Sequence, residues 1–150
     1  MQLVTFEVAG NRYALPAAGV RELLRAVLPS PLPKAVPFVE GVIDVRGTIV
    51  PVVEIRSRFG LPPKALAPSD HLILSDAGDR VVALRVDRVL DLVELDTADV
   101  TSVERQVPTA RHIEGVARLP EGLAVIYDLS TFLSAAERDA LDLAIREARA

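Results

Sequence analysis

A pattern near the start of the chain returns further along it. Gly10-Asn11-Arg12-Tyr13-Ala14-Leu15 lines up with Gly78-Asp79-Arg80-Val81-Val82-Ala83, an offset of 68 residues (10 to 78). Glu40-Gly41-Val42 lines up with Glu114-Gly115-Val116, an offset of 74 (40 to 114), and at that offset Ile49, Val52, Glu54 and Ile55 meet Leu123, Ile126, Asp128 and Leu129. Each half carries the same series: hairpin, loop, E-G-V, hairpin, acidic-aliphatic pair. Two Val-rich segments can look alike by chance. A whole ordered series, with its length difference confined to loops, reads as a duplication. A β unit of about 65 residues buries only ~60% of its unfolded surface and is marginal alone. Two such units must therefore share a face.

The local pattern agrees. Val4, Phe6 and Val8 alternate with Thr5 and Glu7, as in a strand, and Ala9-Gly10-Asn11 turns the chain into Tyr13-Ala14-Leu15. Val20 to Val27 fits a helical stripe through Val20, Leu23, Leu24 and Val27, but Pro16 and Pro29 confine it to a short piece. Pro29, Pro31, Pro33 and Pro37 mark an extended loop. Residues 41–55 read as two β-branched runs flanking a tight Arg46-Gly47 turn. Leu61 to Ser69 reads as a linker, His71 to Leu95 as strands around Asp76-Ala77-Gly78-Asp79, and Asp96 to His112 as a loop. Glu114 to Leu129 is a strand pair around Pro120-Glu121-Gly122. The tail predicts a helix: Ser134 and Glu137 form a capping box, and Ala136, Ala140, Leu141, Leu143 and Ala144 supply an apolar side.

Composition excludes several functions. The 150 residues are 50% apolar, with a net charge of −4, four Phe, two Tyr and no Trp. An acidic chain gains little from phosphate backbones, and few aromatics are present to stack on bases, so nucleic acid is a poor partner even though small barrels often bind it. No Cys is present, which removes disulfides, thiolate metal sites and a cysteine nucleophile. The start has neither a basic region nor a long apolar run, and no stretch approaches the ~20 apolar residues of a membrane span. A cytoplasmic protein with no cofactor, no metal and no direct membrane insertion is expected. His71 and His112 have no metal-ligand spacing, and no phosphate-binding glycine motif occurs.

Residues 41–60, GVIDVRGTIVPVVEIRSRFG, resemble the chemotaxis coupling protein (CheW) family, whose pattern is G-V-I-N-L-R-G-x-I-V-P-V-I-D-L-R-x-x-F-G. Asp44 replaces the usual Asn, Val45 the Leu and Glu54 the Asp. The lead LPKAVPFVEGV, with Val36 where a second Pro is common, fits as well. So do Phe6-x-Val8-x-Gly10, Tyr13 to Pro16, Val20-x-Glu22-Leu23, Val86-Asp87-x-Val89 and Asp128-Leu129. The resemblance spans nearly the whole chain and loosens after residue 96. It implies a mainly β fold of two SH3-like five-stranded barrels packed on each other, one half at about 1–68 and the other at about 69–133, with a C-terminal helix at about 135–148. Leu3 to Val8 is free to join either barrel. It also implies a non-enzymatic adaptor with two partners, the regulatory domain of a CheA-like histidine kinase and the cytoplasmic helical tip of a chemoreceptor in a membrane-associated array. Some members serve gliding, pilus or other kinase pathways. The kinase's own regulatory domain shares the fold, although Met1 directly before the first strand favours a standalone protein.

The conspicuous residues are weighed on that basis. Arg46 is either a structural arginine bonded to carbonyls or a partner contact, and its place in the motif favours the contact. The expected receptor groove takes Val42, Val45, Val82 and Val86 as floor with Arg46 at the rim. The expected kinase patch is Val20, Leu24 and Val27, with Glu22 at its edge. Gly41, Gly47 and Gly115 read as backbone positions that exclude a side chain. Asp44 and Glu54 resemble an acid/base pair, but cross-strand partnership with arginines is the simpler reading, since no nucleophile or oxyanion hole lies nearby.

Overall fold

The computed structural model describes residues 1–32, 36, 38–102 and 113–149. Pro33, Pro37, His112 and most of the loop read over Asp96 to His112 lie outside the described residues. The first half supplies β1 (Gln2–Val8), β2 (Asn11–Pro16), β3 (Val20–Arg25), β4 (Val39–Val45) and β5 (Thr48–Glu54). The second supplies β6 (His71–Ala77), β7 (Arg80–Val86), β8 (Arg88–Glu94), β9 (Val100–Ser102), β10 (Ile113–Leu119) and β11 (Gly122–Tyr127), followed by α1 (Ala135–Arg149). One sheet runs β8-β1-β2-β11-β10-β9 and the other β3-β6-β7-β5-β4.

Sheet membership departs from a division near residue 68. The hairpin β1–β2 sits between β8 and β11, and the hairpin β6–β7 sits between β3 and β5. Each half gives its first hairpin to the other half's sheet. Each hairpin joins the other half by one antiparallel ladder, β1 to β8 and β6 to β3, and one parallel ladder, with Ile126 beside Ala14 and Val52 beside Ala83. The exchange gives both edges of each hairpin a ladder partner, which a marginal five-stranded unit gains from.

The pairings also refine the repeat. Val8 faces Asn11 across the first turn, and Ala77 faces Arg80 across its counterpart, so the strands are related by 69 residues (8 to 77). Aligning glycines misplaces the register by one. Gly10 is the second turn residue, after Ala9, and both have positive φ, whereas Gly78 is the first and has positive φ. The same register shift recurs in both sheets, between Thr5 and Phe6 opposite β8 and between Val20 and Glu22 opposite β6. The strand count differs because β9 pairs Thr101 with Val116, whereas the equivalent contact in the other sheet is a lone bridge, Ser30 to Val42.

Three apolar clusters follow from the alternation of side chains. Leu3, Ala14, Ala117, Ala124 and Ile126 fill the six-stranded barrel, and their counterparts Leu72, Ala83, Ile43, Val50 and Val52 fill the five-stranded one. The opposite faces build one shared core from Phe6, Val8, Leu15, Val53, Ile55, Ile73, Leu84 and Val86. On α1, the Ser134 hydroxyl accepts from the Glu137 N–H at 3.1 Å, and the Glu137 carboxylate accepts from the Ser134 N–H at 3.0 Å. The buried face carries Leu141, Ala144 and Ile145, while Ala136, Ala140 and Leu143 face outward, which corrects the apolar side read from sequence.

Asp70, fully buried, anchors the 56–70 connector. It accepts from Lys64 Nζ at 2.7 Å, the Ala67 N–H at 2.9 Å and Arg85 Nη1 at 3.1 Å. Burial pushes its pKa up, but these donors outweigh burial and hold the carboxyl below its ordinary value. A depressed carboxylate contributes stability that is complete above its unfolded pKa of about 3.9 and is lost as pH falls through the folded value. Asp70→Asn is therefore expected to flatten the loss of denaturation midpoint between neutral pH and pH 3. An unchanged acid limb would count against this role.

Gly41 and Gly115 sit at matching register shifts. A Cβ on Gly41 would collide with the Ser30 carbonyl, and one on Gly115 would lie 2.6 Å from the Thr101 oxygen. Gly10 has positive φ but open space around it. Gly10→Ala is expected to cost about 1–2 kcal/mol for the left-handed backbone. Gly41→Ala adds about 1–3 kcal/mol of overpacking, so urea denaturation should find it the less stable of the two.

Candidate functional site

β3 is an edge strand, paired to β6 alone within its sheet. As a strand rather than a helix, it separates the stripe read from sequence. Val20, Glu22, Leu24 and Ala26 are half-buried, while Arg21, Leu23, Arg25 and Val27 are exposed. Leu24 packs against the core of the five-stranded barrel and Val20 against the shared core. The apolar surface lies instead on Leu23 (47% exposed), Val27 (52%) and Leu28 (84%). Leu23 belongs to the stripe read from sequence but not to the expected patch, and Leu28 belongs to neither. The sequence carries little signal for this, because Arg21, Leu23 and Arg25 on one face and Val20, Glu22 and Leu24 on the other each mix apolar and charged residues.

Beside β3 lies the β4–β5 turn. Asp44 accepts from the Gly47 N–H at 2.7 Å, which closes the turn. Arg46 has φ +50° and Gly47 φ +87°, so an arginine occupies a left-handed position that usually takes Asn or Gly. Its guanidinium meets the Glu22 carboxylate through both terminal nitrogens, Nη1 to Oε1 at 3.1 Å and Nη2 to Oε2. The hydrogen bond to Arg46 holds Glu22 below its ordinary pKa, and the reciprocal bond raises Arg46. The Arg46 side chain remains 74% exposed, so the pair orients the cation without burying it.

The other expected residues scatter. Val42 and Val45 are half-buried, packed on the shared core and on the five-stranded barrel's core. Val82 and Val86 are fully buried in the shared core and have no surface to offer a partner. β7 is the central strand of its sheet and is covered on both faces, so no aliphatic groove floor forms there. Two hollows bear on the site. One, of about 200 Å³, lies where the two sheets meet and is lined by Leu15, Pro16, Gly19, Tyr127 and Leu129 among others. The other, of about 600 Å³, runs from Gly47, Thr48 and Ile49 to Arg80, Ile145 and Arg146 of α1.

The suspected acid/base pair has a different use. Asp44 holds the turn, and Glu54 accepts from the Arg56 and Ser57 N–H groups. Neither meets an arginine side chain in these bonds. Among the described residues, no group of three or more His, Cys, Asp or Glu could hold a metal ion, and no helix is long and apolar enough to cross a membrane.

The backbone at Arg46 generates a test. Asn tolerates the left-handed conformation, whereas a β-branched residue does not. Arg46→Asn should melt close to the parent despite losing the ion pair, and Arg46→Val should melt lower. Equal losses in thermal denaturation would show that the ion pair, not the backbone, holds the turn.

Comparison with known proteins adds a family. The family model described as "CheW-like domain" matches residues 2–137. The chain is 26% identical over 142 residues to "Chemotaxis protein CheW" of Treponema pallidum (strain Nichols), covering 91% of this chain and 84% of that one. It is 32% identical over 95 residues to "Protein FrzA" of Myxococcus xanthus, covering 63% and 59%. The crystal structure of the scaffolding protein TtCheW from Thermoanaerobacter tengcongensis superposes with a TM-score of 0.77 at 24% identity, over 85% of this chain and 88% of that one. The likeness extends to the fold of two SH3-like β-barrels with a C-terminal helix.

Proposed function

The chain belongs to the CheW-like domain family, and from that membership we propose that it is a non-enzymatic adaptor joining a chemoreceptor tip to the regulatory domain of a histidine kinase. The observation that carries this reading is the family match across residues 2–137, which takes in both barrels and the Arg46 turn. The site suits an adaptor. Its conspicuous carboxylates are engaged by backbone N–H groups and by Arg46, and its surfaces are suited to binding.

The two faces of β3 serve two partners. The receptor's helical hairpin lies along the line from the hollow between the sheets, past Gly19 and Val20, to Glu22 and Arg46. Val42 and Val45 flank that line. A helix is received by an apolar groove with polar ends, and the hollow lined by Leu15, Pro16 and Tyr127 supplies the apolar end. The Glu22 carboxylate presents the guanidinium in one orientation, ready for a receptor carboxylate or carbonyl. The kinase domain meets the outward row, where Leu23 and Leu28 join Val27 and replace the half-buried Leu24.

Calorimetric titration of this chain with a receptor-tip fragment and a kinase regulatory domain from the same organism tests the reading. Arg46→Ala should weaken the receptor fragment by about tenfold or more if the partner desolvates the cation and leave the kinase domain unaffected. Leu23→Asp should do the reverse, while Leu24→Asp should chiefly lower stability. If neither partner binds the parent protein, the adaptor reading fails. If Arg46→Ala binds normally, Arg46 is structural.

A further inference from the structure

The repeat relates the two crossings between the barrels, and the comparison exposes a difference. β7 passes to β8 through the single residue Asp87, whose counterpart between β2 and β3 is Ala18. At Asp87 one carboxylate collects three segments. It accepts from the Ala9 N–H in the β1–β2 turn at 2.8 Å, and from Arg56 Nη2 beyond β5 at 2.9 and 2.8 Å, while Lys64 of the connector stands 3.6 Å away. The Asp87 N–H also donates to the Glu7 carbonyl at 3.0 Å. Arg56 is nearly buried, and its Nη1 donates to the Pro62 carbonyl at 3.2 Å. At the other crossing, Ser130 stands for Arg56, Gly78 for Ala9 and Ala18 for Asp87. There the chain leaves the hollow of about 200 Å³, with Gly19, Gly78 and Ser130 in its wall. One crossing is bolted by charged groups, whereas the other keeps a hollow and a neutral bond, from the Ser75 hydroxyl to the Gly19 carbonyl at 2.9 Å.

We propose that Asp87 and Arg56 form the joint that sets the angle between the two barrels, and that they are positioning residues for a partner spanning both. The shared apolar core brings the barrels together but is non-directional. The joint supplies directional bonds at a crossing where chain from both sheets converges. A carboxylate whose two oxygens both meet Arg56 Nη2, with the Ala9 N–H as a further donor and Arg56 Nη1 tied to the Pro62 carbonyl, admits few geometries. Any rocking of the barrels about this bolt changes the open hollow, which is the apolar end of the proposed receptor line. The part of the proposal that concerns binding rests on that reading, whereas the part that concerns the angle does not.

Because the chain has no Cys, spin labels at Leu23→Cys on β3 and Leu123→Cys on β11 report the distance between the two sheets without background. Both leucines are well exposed. Double electron–electron resonance is expected to give one narrow distribution for the parent and a broader or displaced one for Asp87→Asn. The double variant Arg56→Met/Asp87→Asn avoids leaving a buried cation unpaired and should show the same change should the single variant fold poorly. In unlabelled protein, these variants should bind the receptor-tip fragment about tenfold more weakly and the kinase regulatory domain as the parent does. An unchanged distance distribution in folded variants overturns the joint. A changed distribution with undiminished receptor binding overturns the positioning role, as does equal weakening of both partners.

Discussion

The shared core between the barrels is the constraint on which everything else rests. Strands such as β1 and β7 are covered on both faces, one by their own barrel and the other by the shared layer of Phe6, Val8, Leu84 and Val86. A strand covered twice can be apolar at successive positions, as β7 is in the run Val81-Val82-Ala83-Leu84, whereas β1 buries its polar Thr5 through hydrogen bonds to the Asp91 backbone. Hairpin exchange makes this layer obligatory. With β1–β2 laddered to β8 and β11, neither half of the chain can complete a sheet without the other. The two barrels are one cooperative unit in consequence.

Symmetry within that unit is close in the cores and broken at the periphery. Leu3 and Leu72, Ala14 and Ala83, and Val52 and Ile126 occupy equivalent interior positions. The departures lie outside. A three-residue β9 stands where the other sheet keeps only the Ser30 bridge. Ile49 is half-buried and lines one hollow with Ile145 and Arg146 of α1, whereas the equivalent Leu123 is 64% exposed. Glu54 and Asp128 do the same local work, each accepting backbone N–H groups two residues on. Yet Arg56 follows one and Ser130 the other. Duplication repeats what packing needs, and divergence collects at crossings and edges.

Much of the fold was legible in the sequence because its signals were local or repeated: the hairpins, the capping box and the glycines at register shifts. What escaped was set by long-range pairing. The exchange of hairpins cannot be read from strand patterns, since a β1 joined to β8 carries the same alternation as a β1 joined to β3. The offset of 68 was drawn to matching glycines, although the two turns place glycine at different positions. Val82 and Val86 read as groove residues because apolar β residues do not say which of two layers they face. In β3, a helical period puts Leu23 and Leu24 on one stripe, whereas the strand turns them to opposite faces.

Arg46 shows how local cost and function connect. A left-handed arginine is unfavourable where Asn or Gly would be relaxed, and its surface ion pair offsets little of that in water. Turn chemistry alone would not select it, since Asp44 and Gly47 already close the hairpin. The left-handed backbone directs the side chain back across the sheet edge toward β3, where Glu22 meets it in two hydrogen bonds. A carboxylate that fixes the guanidinium while leaving most of it exposed prepares it for a further bond at small entropic cost. The strain at this turn thus coincides with a cation held in one orientation and left largely exposed, which is the observation on which the proposed receptor contact rests.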